Sequence, residues 1–247
     1  ANEWAVRLID EHQYHTSSVF VTLTYDDDNL PESGSINKKE LQKFFKRLRR
    51  SLEPRKIKYY AVGEYGEKTY RPHYHAIIFG MENCNQCWSC KKPTQTLDVP
   101  KDDCAKLREA WGKGNIEVGF VAPASIRYVT GYIQKSLYGQ EWGEVCSPFN
   151  LMSQGLGKRY CDDNAESLTL YMGKVVGENI TILPKYYRKR LDIPTERLYA
   201  RSIELKEEKA KRFIKLDNEE AWRAVLGERK QKKQTMEHQG AIKKGKL

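Results

Sequence analysis

The spacing of apolar and polar positions changes character several times along the chain. Val19–Tyr25 (VFVTLTY) is dominated by β-branched and aromatic residues, which suit a pleated, half-buried surface, and predicts a core strand ending in the polar loop Asp26–Asn29 before Pro31. Asn37 followed by Glu40 has capping-box spacing, and Leu41, Phe44, Phe45, Leu48 and Leu52 then recur with helical period until Pro54. The other face of that helix is basic: Lys38, Lys39, Lys43, Lys46, Arg47, Arg49 and Arg50. Lys56–Tyr65 and His73–Phe79 read as strands, and the turn-rich Gly66–Pro72 between them suits a hairpin. Ile116–Val121 predicts a further strand, and Ile126, Val129, Ile133 and Leu137 form the stripe of a helix over Ala124–Tyr138.

This order predicts an α+β fold with a sheet that is at least partly antiparallel and flanked by helices. An insertion at 81–114 carries four of the six cysteines. Beyond Gly139 the pattern weakens. Ser147–Tyr160 is turn-rich, Ser167–Met172 and Asn179–Leu183 are expected to pair as a hairpin, Thr195 to Lys233 is charged and reads as helical, and from Gln231 the chain has the composition of a disordered basic tail. The expected division is therefore a core at 1–140, a partly helical extension at 141–230 and a tail at 231–247.

Composition narrows the partners. Lys and Arg total 43 against 33 Asp and Glu, a net charge of +10 that predicts a polyanion. Every apolar run stops well short of the roughly 18 residues that a membrane helix needs, so no membrane partner is expected. Without an export signal, the cysteines read as thiols or metal ligands.

His73 and His75 flank Tyr74, and residues two apart on a strand share a face, so the imidazoles either grip one metal ion or simply line a solvated face. Glu64, at the end of the hairpin partner, can complete a two-histidine, one-carboxylate set, or it is an ordinary strand-end carboxylate; the full set also suits zinc, manganese or iron. In RYVTGYIQK, Tyr128, Tyr132 and Lys135 occupy one sector of the helix, away from its aliphatic stripe. Such tyrosines are either packing aromatics or nucleophiles. A metal and a phenol together suit attack on a phosphodiester, with Lys135 or the metal field easing loss of the phenolic proton. The one-turn spacing to Lys135 favours Tyr132 for the first cut. Cys84, Cys87, Cys90 and Cys104 (C-x2-C-x2-C-x13-C) read either as a structural Zn2+ knuckle or as scattered thiols. Arg71, the basic face with Lys43, Arg47 and Arg50, and the run Tyr186, Tyr187 and Arg188 are candidate DNA contacts, though LPKYY can equally be core.

These pieces, FVTLTYDD, GEYGEKTYRPHYHAIIFG, WGKG, RYVTGYIQK, MSQGLGKRY and LPKYYRKRL in that order, resemble the rolling-circle replication initiators of microviruses, of the gokushovirus type, within the His-hydrophobic-His endonuclease superfamily. The resemblance implies a ferredoxin-like, RRM-like core, Mg2+ or Mn2+ on His73, His75 and Glu64, and Tyr128 and Tyr132 as nucleophiles. It further implies nicking of single-stranded DNA at a replication origin, a 5′-phosphotyrosine, and a 3′-hydroxyl extended by a host polymerase with a host helicase. The implied location is the host cytoplasm, for a virus-encoded protein that is not part of the virion. Members of that family carry a cysteine-rich segment ahead of the position where this chain begins, and Ala1 points to a removed methionine or an absent segment. Two other readings stand beside it: a non-catalytic RRM-like nucleic-acid-binding protein with a zinc knuckle, and a plasmid or transposon nuclease of the same superfamily.

Overall fold

The computed structural model describes residues 3–66, 69–82, 103–136, 143, 145–176, 179–198, 200, 201, 203, 204 and 207. In chain order the elements are α1 (Glu3–His12), β1 (Ser18–Thr24), α2 (Lys38–Leu52), β2 (Lys58–Tyr65), β3 (Pro72–Phe79), α3 (Asp103–Trp111), β4 (Ile116–Phe120), α4 (Pro123–Ser136), β5 (Phe149–Met152), α5 (Lys158–Asp163), α6 (Ala165–Tyr171), β6 (Gly173–Val176), β7 (Asn179–Ile182) and α7 (Lys185–Arg190). The chain divides into two compact units, residues 1–165 with 184–190 and residues 166–183 with 191–247.

In the first unit, five strands form one sheet in the order β4-β1-β3-β2-β5, and every neighbouring pair is antiparallel. From β1 to β4 the chain runs strand, helix, strand, strand, helix, strand and orders its strands β4-β1-β3-β2, which is the ferredoxin-like arrangement expected of an α+β chain. Strand alternation divides the sheet into two faces. Val19, Val21, Leu23, Tyr74, Ala76 and Ile78 bury against α2 and α3, whereas Tyr60, Val62, Ile77 and Phe79 bury against α1 and α4. Leu41, Phe44, Phe45, Leu48 and Leu52 of α2 are all buried, as their spacing predicts, and each contributes roughly 1.5–3 kcal/mol of transfer free energy.

Two motifs of the sequence turn out to be one contact. Thr24 and Asp26 donate their backbone N–H groups to the carbonyls of Asn115 and Lys113 at 3.0 Å each, and Trp111 Nε1 donates to the Thr24 carbonyl at 2.9 Å. Gly114 has φ +142°, and a Cβ there would lie 2.3 Å from the Asp26 nitrogen, so the WGKG turn admits only glycine at this point.

Several elements depart from the sequence expectation. Asn37 caps α2 by accepting from the N–H groups of Lys39 (3.0 Å) and Glu40 (3.2 Å), but Glu40 does not close the capping box. Its carboxylate accepts from Tyr25 and pairs with Lys113, and the Asn37 N–H donates to Tyr74 Oη instead. Helix α1 escaped notice because two of its buried positions are charged, Asp10 and Glu11, which breaks the apolar period. Helix α3 lies in what read as a cysteine insertion, its stripe being Cys104, Leu107, Ala110 and Trp111. Strand β5 occupies part of the turn-rich stretch 147–160 and is only 4 residues long, held by the backbone ladder to β2. The strand expected at Ser167–Met172 is mostly helix α6; the partner of β7 is β6. In the second unit residues 195–198, 200, 201, 203, 204 and 207 are helical, and 208–247, with the expected tail, lie outside the described residues.

Helix α1 is pinned by polar contacts. Arg7 donates twice to the Leu156 carbonyl (2.8 and 3.1 Å) between the rings of Trp4 and Tyr186. Tyr187 Oη donates to Asp10 at 2.9 Å. Glu11 accepts from the Gly157 N–H (2.7 Å) and pairs with Lys58 (2.8 Å) and His15 (2.8 Å). Burial alone would raise the Glu11 carboxyl, but the bonds from His15, Lys58 and Gly157 prevail and bring it down to about 2. Because the folded value lies below that of the unfolded chain, the stabilisation is present above the ordinary carboxylate range and is lost as pH falls from about 5 towards 2. Denaturant titrations across pH are expected to show Glu11→Gln about 1–3 kcal/mol less stable than wild type at pH 7, the gap closing over that acid window.

Candidate functional site

The hairpin register builds the site. Glu64 of β2 stands opposite His73 of β3, Val62 stands opposite His75, and on the other side of β3 the residues Thr24 and Thr22 of β1 face His73 and His75. Directly opposed residues share a sheet face, so Glu64, His73, His75, Thr22 and Thr24 project together on the α1/α4 side. Glu64 Oε1 lies 3.0 Å from Nε2 of His73 and 3.0 Å from Nε2 of His75. Glu64 and His75 are buried and His73 is half-buried.

The far side of each ring is also held. His73 Nδ1 donates to the Arg71 carbonyl at 3.1 Å, and His75 Nδ1 lies 3.0 Å from Thr22 Oγ1. With Nδ1 so engaged, each imidazole in its neutral form directs the Nε2 lone pair at Glu64. Three ligand atoms within 4.8 Å of one another then repel unless a proton or a cation lies among them, so the donor set suits a small divalent ion. Burial pulls the His73 pKa down, but the hydrogen bond to Glu64, the Arg71 carbonyl and the Glu64 charge outweigh it, and the imidazole titrates above its ordinary range.

Tyr128 joins this group from α4. Ile126 and Val129 are buried, which turns Tyr128 to the rim of the sheet, where it is 43% exposed. Its ring centroid is 5.7 Å from that of His75 and 6.3 Å from that of Phe20, and Phe20 stacks on His75 at 5.6 Å. A phenol open to solvent thus stands beside a buried imidazole. Tyr132 and Lys135 follow on the same helix, one and two turns further on; their side chains lie outside the described residues.

On the opposite face, Tyr74 anchors the strand between the two histidines. Tyr74 Oη accepts from the Asn37 N–H (2.7 Å) and shares a 2.7 Å hydrogen bond with Tyr25 Oη, which donates to Glu40 at 2.6 Å. Burial pushes the Tyr74 phenol up to about 12, so it stays protonated as a strut.

The other candidates fall in different places. Arg71 donates to the Tyr25 carbonyl (3.0 Å) and to Asp27 (2.7 Å), tying the loop after β1 to the start of β3. Lys43, Arg47 and Arg50 lie on α2, across the sheet from the histidines. Tyr187 is fully buried, Tyr186 covers Arg7, and Arg188 lies 3.5 Å from Glu3. Cys104 is buried in the core; Cys84, Cys87 and Cys90 lie outside the described residues. Phe20 and Thr22 were not among the sequence candidates. Their signal was the alternation of VFVTLTY, which puts its polar residues on the histidine face.

Residues 18–137 match the family model of the replication-associated protein ORF2. The chain is 32% identical over 200 residues to replication-associated protein VP4 of Bdellovibrio phage phiMH2K, covering 76% of this chain and 62% of that protein. It is 33% identical over 147 residues to replication-associated protein ORF4 of Chlamydia phage 1 (55% and 35%), and 30% identical over 208 residues to replication-associated protein ORF2 of Spiroplasma virus 4 (77% and 63%). The chain therefore spans less than two thirds of the length of each of these relatives. No solved structure matches it.

Titration calorimetry with Mn2+ is expected to show binding in the wild type and none in His73→Ala/His75→Ala. Thr22→Val, which leaves the His75 tautomer unsupported, is expected to bind about 10–100-fold more weakly.

Proposed function

We propose, on the premise that residues 18–137 belong to the family of the replication-associated protein ORF2, that this chain nicks and rejoins single-stranded DNA at a viral replication origin. The observation that carries the reading is the convergence, inside the matched segment, of Glu64, His73 and His75 with the exposed phenol of Tyr128. Phage relatives that carry replication in their names support the biological setting.

A divalent ion, Mg2+ or Mn2+, held by Glu64, His73 and His75 would draw charge from the non-bridging phosphate oxygens during displacement. The protein's own groups do the rest. A tyrosine oxygen forms a bond to phosphorus while the bond from phosphorus to the 3′ oxygen breaks, and the phenolic proton is balanced by the proton that the departing 3′-hydroxyl gains. The products are a 5′-phosphotyrosine and a free 3′ end. Attack by a 3′-hydroxyl on the adduct reverses the step, which rejoins the strand without an external energy source. The Tyr128 phenol is partly solvated, so its deprotonation does not require uncovering a buried group. Tyr132, one turn along α4, supplies the second nucleophile, and the Lys135 ammonium favours the phenolate of Tyr132. His75 is kept from turning away from Glu64 by Thr22 on its Nδ1 edge and by the Phe20 ring against its face. In this reading the protein is virus-encoded and acts in the host cytoplasm, where a polymerase extends the 3′ end and a helicase separates the strands.

Incubation of the wild type with single-stranded origin DNA and Mn2+ or Mg2+ is expected to give a protein–DNA adduct that survives boiling in detergent. Tyr128→Phe/Tyr132→Phe is expected to lower adduct formation at least about 10³-fold while DNA binding persists. A wild type that never forms the adduct, or a double variant that still does, overturns the reading.

A further inference from the structure

The basic face of α2 lies on the opposite side of the sheet from the nicking site, and an ordinary solvated helix is not built in this way. Exposed helices usually interleave signs so that residues at i, i+3 and i+4 attract. Along α2 the neighbours are cations: Lys39, Lys43 and Arg47 are spaced by four, as are Lys46 and Arg50. The one acid within the helix, Glu40, is turned away to Tyr25 and Lys113. Among the described residues no acidic partner is found for Lys43, Lys46 or Arg50, all of which are exposed. Such a face is self-repulsive until a polyanion covers it.

The surface also has shape and fixed donors. An open recess of about 680 Å³ is lined by Lys46, Arg47, Arg49, Arg50 and Tyr59, with Glu53 at its edge. A second recess of about 430 Å³ shares Arg47 and Arg50 and adds Lys106 and Glu109, so the two adjoin along the groove towards α3. Two of the guanidinium groups are held in place. Arg47 donates to the Ala110 carbonyl at 2.8 Å and the Trp111 carbonyl at 3.4 Å, and Arg49 donates to Ser153 Oγ at 3.0 Å while lying over the Tyr59 ring at 5.0 Å. Groups already immobilised lose less entropy when they meet a ligand. The floor is sealed by Tyr59 stacked on Phe45 at 3.5 Å, which leaves no exposed aromatic face for a base; the groove offers charge rather than stacking.

We infer that the α2 groove is a second nucleic-acid contact surface, one that takes the phosphodiester backbone of DNA flanking the cleavage site, back to back with the metal face. The 15 residues of α2 extend about 22 Å, comparable to roughly six base-pair steps along a duplex. The chain would then hold two stretches of the same nucleic acid at once, cutting on one face of its sheet and gripping on the other. The inference rests on the proposed function for the identity of its polyanion, while the geometry of the groove is independent of it.

The test uses the full chain with a 40-nucleotide single strand and a 40-base-pair duplex of unrelated sequence, binding being followed by fluorescence anisotropy across salt concentration. Lys43→Gln/Lys46→Gln/Arg50→Gln is expected to bind at least about 10-fold more weakly at 0.1 M salt, with a log–log salt slope shallower by about 2. The charge-matched control Lys158→Gln/Lys185→Gln/Lys189→Gln, exposed positions on α5 and α7, is expected to keep most of the wild-type slope. A loss confined to one probe assigns the groove to single strand or to duplex, and either result supports it. Should the triple variant fold poorly, the three single variants carry the test, each losing about a third of the slope change. Equal slopes for the two triple variants would overturn the inference. A wild type with the expected slope but no covalent adduct would sink the nicking reading and leave the groove standing.

Discussion

The antiparallel register of β2, β3 and β1 is the constraint on which the rest of this structure depends. Because strand side chains alternate, a slip of one residue between β2 and β3 would send Glu64 to the opposite face from His73 and His75 and leave two imidazoles without their carboxylate. The register is held from both sides of the sheet. On the site face Thr22 and Phe20 lock His75; on the other face Tyr74, between the two histidines, is bonded to Asn37 and Tyr25 beneath the start of α2. Distances of 3.0 Å from one carboxylate oxygen to two imidazoles are thus the outcome of packing on both faces.

The same alternation divides the labour of the fold. One face of β1, β2 and β3 carries the polar cluster and receives Tyr128 from α4; the other is an apolar bed for α2 and α3, whose outer surface is basic. Buried charge is tolerated only where it is answered. Asp10 and Glu11 of α1, each with oxygen atoms bonded to named donors, fasten that helix to Tyr187, Gly157, Lys58 and His15. Arg71 shows how one residue can serve two ends: its guanidinium holds the loop after β1 and its carbonyl accepts from His73.

Much of this was legible before any coordinates. The strands at 19–25, 56–65, 73–79 and 116–121 and the helices beginning near 38 and 124 carry strong single-period patterns, and each appears within a residue or two of its expected limits. The metal set was legible because period two places His73 and His75 together. What escaped were elements whose pattern is masked by their own function or brevity. Helix α1 buries charges, α3 hides behind a cysteine count, β5 is 4 residues of backbone pairing, and α6 presents Leu168 and Leu170 in an alternation that mimics a strand while only Leu168 is buried. Tyr187, which read as a possible stacking residue or as core, packs as core because Asp10 supplies a buried acceptor for its hydroxyl.

Local order along the chain was enough to determine which residues share a strand face or a helix face, since those periods follow from backbone geometry alone. It therefore determined that His73 pairs with His75, and that Tyr128, Tyr132 and Lys135 form one row. Only the tertiary structure decided that Glu64 falls opposite His73, that Tyr128 stands over His75, and that the basic face of α2 is turned to the far side of the sheet. Those relations join segments tens of residues apart, and they are set by strand order, register and the packing of helices on two faces, none of which has a period that a single chain can display.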